Sequence, residues 1–137
     1  LQSSHVLPAL IRKFHEAKTK GEQDVTIWGT GNPRREFLFA DDLAEACYFL
    51  MQSYNQPTLI NVGTGEDITI KDLALLIKNT IGFEGDLVFD STKPDGTPRK
   101  LMDVSKLRVQ GWNHRVELEE GIKLAYADFL SKMLSLR

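Results

Sequence analysis

Residues 3–28 read SSHVLPALIRKFHEAKTKGEQDVTIW, a helical pattern followed directly by a strand pattern. Apolar residues recur at helical spacing across residues 6–17, so one face of this helix would be buried. Ser3 or Ser4 could cap the helix, and Gly21 is a natural stop. The last four residues of the stretch predict a short strand. An α/β fold is therefore expected to begin in this segment.

Helical and strand patterns keep alternating along the rest of the chain. Further helices are predicted for residues 41–53, 70–82, 103–111 and 118–134, and further strands for residues 58–62 and 86–89. The expected helix caps are Asp41 or Asp42, Thr69 and Asp103. The expected inward face of the helix at 41–53 is Leu43, Ala46, Cys47, Leu50 and Met51. The pattern predicts a mixed α/β fold with short strands and about five helices, without a long parallel sheet.

Composition limits the classes of function. The chain has 137 residues, which fits one domain spanning 1–137, and its net charge of −2 argues against nucleic acid as a partner. Its apolar runs are only a few residues long, so no membrane-spanning segment is expected. The one cysteine, Cys47, excludes an internal disulfide and fits a reducing cytoplasm. No Cys/His cluster has metal-ligand spacing, so no metal site is expected.

A glycine-rich turn between an aromatic residue and two arginines is the first candidate site. Trp28 ends the predicted strand, residues 29–33 form a turn, and Arg34 and Arg35 follow it. An indole can stack on a base, and a guanidinium can bind phosphate oxygens in bidentate fashion. From spacing alone, the alternative is a half-buried tryptophan before an ordinary turn with two solvated arginines.

The second candidate site is the loop at residues 93–100, which reads KPDGTPRK. Three cations surround one carboxylate, that of Asp95, and two prolines and a glycine stiffen the loop. Stiff loops that carry charge are frequent positions for binding residues. The alternative is an ordinary exposed connection.

Other residues with chemical potential give weaker signals. His5 precedes the first helix and could act as a general acid or base, although a lone histidine at a helix start is more often a polar end group. Cys47 lies on the expected apolar stripe and is interpreted as core. The glycine clusters at 29–31 and 63–65 do not complete a dinucleotide fingerprint. No tyrosine has a lysine four residues later, so the chain lacks the Tyr-x-x-x-Lys pair of short-chain reductases.

Several segments occur in the order and spacing of a known family. They are SHVLPAL at 4–10, WGTG at 28–31, REF at 35–37, DDLA at 41–44, NVGTG at 61–65 and KPDGTPRK at 93–100. Together they resemble the GDP-L-fucose synthases, which are extended short-chain dehydrogenases/reductases. The first and last segments are more specific than the others, which many nucleotide-sugar epimerases and dehydratases share. The resemblance covers essentially the whole chain but only the C-terminal, substrate-binding part of those enzymes, so the Rossmann cofactor domain is expected to be absent from it.

The resemblance implies an activity. Enzymes of this family epimerise GDP-4-keto-6-deoxy-D-mannose at two ring carbons and then reduce the ketone with NADPH to give GDP-L-fucose. His5 resembles the family's acid/base histidine, which works with a cysteine outside this chain and lies beside the NADP cofactor. The catalytic Ser, Tyr and Lys of the family and its NADP-binding glycines also lie outside, so the 137 residues alone are expected to be inactive.

The resemblance also implies substrate contacts. Trp28, Arg35 and Asp95 match substrate-contacting positions of the family, and Lys100 matches a lysine near the diphosphate. Lys13 stands where relatives carry arginine at a substrate contact. Lysine keeps the positive charge but loses the planar fork, so this position departs from the family pattern.

Further expectations concern assembly. The resemblance implies a cytoplasmic homodimer that acts on a GDP-sugar. The helix at 41–53 and the strand at 58–62 are expected to pack on the cofactor domain, so the chain alone is expected to self-associate through their apolar faces. Two alternatives stay open: the same part of another nucleotide-sugar epimerase or dehydratase, and a free-standing nucleotide-binding or interaction module.

Overall fold

The computed structural model describes residues 5–135, in which five helices alternate with short strands. The helices are α1 (Val6–Lys20), α2 (Ala40–Ser53), α3 (Ile70–Ile81), α4 (Ser105–Val109) and α5 (Leu118–Ser135). The strands are β1 (Asp24–Trp28), β2 (Arg34–Arg35), β3 (Ile68–Thr69), β4 (Asp86–Asp90) and β5 (Arg99–Lys100). This mixed α/β architecture confirms the fold class predicted from the sequence.

Helix α3 begins and ends where local sequence signals place it, and α1 ends at the predicted glycine but has His5 as its N-cap residue. Gly21 and Gly82 end the two helices in left-handed backbone, with φ of 68° and 70°. Thr69 caps α3, because its hydroxyl accepts a hydrogen bond from the Asp72 N–H at 3.0 Å. Helix α1 begins at Val6, and the proposed caps Ser3 and Ser4 lie outside the described residues.

The strands form two small sheets. β1 and β4 pair in parallel, with Trp28 opposite Asp90 at their carboxyl ends. The second sheet has the order β3-β2-β5, in which β2 pairs antiparallel with β3 and parallel with β5. Within the described part of the chain there is thus no long parallel sheet, as expected. The two sheets bring the loop after β1 close to the segment between β4 and β5.

Two apolar clusters hold these elements together. The larger lies between α1, α3, β1 and α5, and Phe14, Leu73, Ile77 and Ile122 are its largest fully buried side chains. The smaller cluster consists of Ala46, Val104, Leu107 and Trp112. The first cluster fixes α1 on β1, which places the start of the helix beside the end of the strand.

The predicted inward face of α2 is wrong in part. Ala46 is buried, but Leu43, Cys47 and Met51 are exposed. Apolar residues surround much of the helix, so the sequence pattern does not decide which face is buried. Only the face that includes Ala46 packs in the smaller cluster. Cys47 is therefore a surface residue and not a core residue.

Three local predictions also differ from the structure. Phe39 and not Asp41 or Asp42 is the N-cap residue of α2, and the Asp42 carboxylate instead accepts hydrogen bonds from two backbone N–H groups before α5. Helix α4 begins two residues after Asp103, whose Oδ1 accepts from the Ser105 N–H at 2.9 Å. Residues 58–62 do not form a strand, since no strand of the described chain lies alongside to supply hydrogen bonds.

Candidate functional site

A first cavity opens where the start of α1, the end of β1 and the loop after β4 meet. Its volume is about 330 Å³. Lys13, Trp28, Arg35 and Asp95 all line it. Four of the six residues singled out from the sequence therefore lie around one cavity, although they come from four separate segments.

Trp28 presents its indole to solvent at the rim of this cavity. Alternation along β1 buries Val25 and Ile27, so the last residue of the strand faces outward with 71% of its surface exposed. The Lys93 ammonium lies 5.7 Å from the centroid of the indole ring. An exposed indole beside a cation can take up a flat, negatively charged ligand.

Asp95 connects the two loops that border the cavity. Its Oδ1 accepts from the Thr30 N–H at 2.8 Å and its Oδ2 from the Thr30 hydroxyl at 2.7 Å. The hydrogen bonds from the Thr30 side chain and backbone hold the pKa of Asp95 below its usual range. The approach is so close that a Cβ at Gly29 would overlap the carboxylate. Asp95 thus fixes the loop at 93–97 against the glycine turn.

Two cations line the inner side of the cavity. Lys13 extends from α1 and donates a hydrogen bond to the carbonyl of Thr26 on β1. Arg35 on β2 donates from Nη1 to the carbonyl of Thr97 at 2.7 Å, which orients its guanidinium along the loop after β4. Both side chains are tied to backbone, so their charges are held near the cavity.

A second and larger cavity of about 700 Å³ adjoins the first. His5, Arg35 and Lys100 line it, together with apolar residues of α1, α5 and the segment before α2. Arg35 and Val6 border both cavities. His5, the N-cap residue of α1, lies at this second cavity with Lys100. The structure therefore places all six predicted residues around two adjoining cavities.

Three residues that shape the site were missed by sequence reasoning. Thr30 holds Asp95, as described above. Glu36 accepts hydrogen bonds from the N–H groups of Gly65 at 2.7 Å and Met102 at 2.9 Å. Asp67 pairs with Arg34 and with Arg99, so Arg99 is not a free cation of the loop. No sequence signal could have found these contacts, because the partners lie far apart along the chain.

Residues 5–135 offer neither a cluster of metal ligands nor a membrane-spanning helix. No group of three or more His, Cys, Asp or Glu side chains is arranged to hold a metal ion. No helix in this part of the chain is both long and apolar enough to cross a membrane.

Comparisons with known proteins agree with this architecture. The model of the NAD dependent epimerase/dehydratase family matches residues 1–63. GDP-L-fucose synthase 1 from Arabidopsis thaliana is 53% identical over 132 residues, which cover 96% of this chain and 41% of that protein. The chain thus spans about two fifths of the length of the curated relatives that it matches.

Solved structures give the same result. A GDP-L-fucose synthetase from Naegleria fowleri superposes with a TM-score of 0.89 at 31% identity, over 96% of this chain and 41% of that one. A GDP-mannoheptose C4 reductase from Campylobacter jejuni with NADP bound superposes with a TM-score of 0.82 at 43% identity, over 93% of this chain and 45% of that one. The chain therefore matches the C-terminal part of the longer GDP-L-fucose synthases, and its fold is that part of an extended short-chain dehydrogenase/reductase.

Proposed function

We propose that residues 1–137 form the substrate-binding domain of an enzyme that epimerises GDP-4-keto-6-deoxy-D-mannose and reduces it with NADPH to GDP-L-fucose. The observation that carries the proposal is the set of cations and the exposed indole around two adjoining cavities. The 53% identity to a GDP-L-fucose synthase supports the choice of substrate.

The site offers partners for the base of the substrate, for its diphosphate and for other polar groups. Trp28 stacks on the flat guanine base, because its indole face is exposed at the rim. Arg35 and Lys100 bind the diphosphate, since guanidinium and ammonium groups are the usual phosphate partners. Lys13 and Asp95 contact the remaining polar groups in the first cavity. Binding energy from the nucleotide then positions the sugar for chemistry in the larger cavity.

His5 supplies one of the acid/base groups of the epimerisation. Inversion at a carbon next to a ketone requires proton removal from one face and proton delivery to the other, so two such groups are needed. His5 lines the larger cavity, where the sugar would lie, and its partner is expected outside this chain. NADPH, when bound, would supply the hydride for the reduction, and the resemblance to the GDP-L-fucose synthases implies that His5 would lie beside it. The chain's own glycine clusters are turns, so most NADP contacts come from residues outside it.

The 137 residues alone would lack reductase activity. They contain neither a Tyr-x-x-x-Lys pair nor a complete dinucleotide fingerprint. The test is to incubate the purified chain with NADPH and the keto-sugar substrate and to follow NADPH oxidation. Measurable turnover by the chain alone would contradict this part of the proposal.

We further propose that the complete enzyme is a cytoplasmic homodimer. Cys47, the single cysteine of these 137 residues, forms no disulfide and is compatible with a reducing compartment. Sedimentation of the complete enzyme tests the dimer, and cell fractionation tests the location. A monomer, or a protein recovered with membranes, would contradict the respective statement.

A related reductase is the second candidate. The 43% identity to a GDP-mannoheptose C4 reductase favours a heptose in place of the six-carbon sugar. The same nucleotide contacts would serve both enzymes, so the two candidates differ in the sugar and in whether it is epimerised before reduction.

Two measurements on the complete enzyme test these proposals. Thermal shifts with GDP, UDP and dTDP identify the nucleotide, and a selective shift with GDP supports a GDP-sugar enzyme. Turnover of GDP-4-keto-6-deoxy-D-mannose against a GDP-keto-heptose then identifies the sugar. Equal shifts with all three nucleotides would overturn the proposal, and faster turnover of the heptose would favour the second candidate.

A further inference from the structure

Asp67 joins two arginines that lie on neighbouring strands. The Asp67 side chain is only 4% exposed, and its Oδ1 accepts from Arg34 Nε at 2.7 Å. Its Oδ2 accepts from Arg99 Nε, and its backbone carbonyl accepts from Arg34 Nη2 at 2.9 Å. The hydrogen bonds from Arg99 and Arg34 hold the pKa of Asp67 below its usual range. One carboxylate thus connects the start of β3 to both β2 and β5.

The pairing of β2 with β5 forms a second pair of cations, which lies on the other face of the sheet from the two arginines that Asp67 binds. Arg34 lies opposite Arg99, and Arg35 lies opposite Lys100. Successive side chains of a strand point to opposite faces of the sheet. The arginines bound by Asp67 therefore lie on one face, and Arg35 and Lys100 lie on the other. That other face borders the larger cavity.

Such short strands do not specify their own register. β2 and β5 have two residues each, so few ladder hydrogen bonds oppose a slip. A slip by one residue would turn every side chain to the opposite face, which would remove Arg35 or Lys100 from the cavity. A buried carboxylate that pairs with both strands on the far face opposes this slip.

We propose that Asp67 is a positioning residue of the nucleotide-sugar site. By binding Arg34 and Arg99 it holds β2 and β5 in the register that directs Arg35 and Lys100 toward the diphosphate. Asp67 itself does not contact the ligand. The proposal rests on the proposed function, because it assumes that the diphosphate is the ligand of these two cations.

The test compares GDP with guanosine as ligands of the complete enzyme, because the two differ only in the diphosphate. The ratio of their dissociation constants in the wild type measures the diphosphate contribution. We expect Asp67→Asn to reduce this ratio about tenfold, as for other small displacements of binding groups, while the affinity for guanosine stays unchanged. A merely structural role would lower the thermal midpoint and leave the ratio unchanged.

A matched control and a milder variant keep the result interpretable. Asp42 is also a buried carboxylate, but it accepts from the backbone N–H groups of Arg115 and Val116 and not from a side chain of β2 or β5. Asp42→Asn should lower stability without changing the ratio. Arg99→Lys keeps the positive charge but removes the guanidinium fork that binds Asp67, so it should also reduce the ratio. Because the Arg99 side chain is 61% exposed, this variant replaces Asp67→Asn in the test if Asp67→Asn fails to fold.

A double variant identifies the route of the effect. Lys100→Ala should reduce the ratio by itself, and Asp67→Asn added to it should reduce the ratio further by less than its single effect, because Lys100 is one of the two cations that Asp67 positions. Additive effects, or an unchanged ratio in both Asp67→Asn and Arg99→Lys, would overturn the positioning role. A wild type that binds guanosine as tightly as GDP would overturn the proposed function, and the positioning role with it.

Discussion

Gly29→Ala distinguishes the geometry of the site from the stability of the fold. Gly29 has a φ of 85°, in the left-handed region, and a Cβ there would overlap Oδ1 of Asp95. Alanine in left-handed backbone costs about 1–2 kcal/mol. The carboxylate must also move on the order of 1 Å to restore van der Waals separation. That movement breaks its hydrogen bonds to Thr30 and releases the loop at 93–97.

Gly21→Ala is the matched control for this substitution. Gly21 has a φ of 68°, but an added Cβ would meet nothing within 4 Å, and the residue lines neither cavity of the site. Both variants of the complete enzyme should therefore lose about 1–2 kcal/mol of unfolding free energy, and Gly29→Ala should lose more because of the overlap. Only Gly29→Ala should weaken GDP binding, by between about 10-fold and 100-fold for a displacement of this size.

Urea unfolding and calorimetric titration with GDP measure the two quantities on the wild type and both variants. If Gly29→Ala binds GDP as tightly as the wild type, the position of the Asp95 carboxylate does not matter and the reasoning is refuted. If Gly21→Ala weakens GDP binding equally, the loss of affinity comes from general destabilisation and not from the site.

Further predictions concern the ligand, the core, acid stability and the surface. Trp28→Ala should weaken GDP binding in a titration of the complete enzyme with little change in thermal midpoint, because the side chain is exposed; unchanged affinity would contradict base stacking. Leu73→Ala should lower the unfolding free energy in urea by about 2–5 kcal/mol, because the side chain is fully buried; a smaller loss would contradict tight packing there. Arg99 and Arg34 lower the pKa of Asp67 in the folded protein, so its carboxylate should contribute its full stabilisation above about pH 4, near the pKa of the unfolded state. This stabilisation should be lost as the pH falls through the lowered pKa of the folded state, and urea unfolding at several pH values should show a weaker acid dependence in Asp67→Asn. The 137-residue chain should self-associate in sedimentation through exposed Met51 and Leu59, and Met51→Lys with Leu59→Ser should reduce this; a monomer at high concentration would contradict it.

Elements with strong local signals could be predicted from the sequence. Helix α3 has a cap, an apolar stripe and a terminal glycine within fourteen residues, 69–82, and it forms as expected. β2, β3 and β5 have two residues each, which is too short for any periodic pattern. The face of α2 was ambiguous because its apolar residues surround the helix, and only packing on α4 selects Ala46.

In the candidate site, too, some residues could be selected from the sequence and others could not. Trp28, Arg35 and Asp95 were singled out in the sequence because the segments that carry them resemble those of the GDP-L-fucose synthases. The residues that orient them do not stand out, since Thr30 is 65 positions from Asp95 and Asp67 is 32 positions from Arg99. Contacts across such separations arise only from the tertiary fold. Candidate ligand-binding side chains are therefore easier to select from the sequence than the residues that hold them.

The carboxylates in and around the site are already bound by other groups of the protein. Asp95 is bound by Thr30, Asp67 by two arginines, and Glu36 by backbone N–H groups. Asp95 lines the first cavity and Glu36 the second, beside Arg35 and Lys100. Neither of these two cations forms an ion pair with a carboxylate in the part of the chain that the structure describes. The chain has a net charge of −2, yet the charges that govern a small ligand are those within about 8–10 Å of it. Net charge therefore argues against an extended polyanion such as nucleic acid but says nothing against a diphosphate, whose binding depends on where these few carboxylates are held.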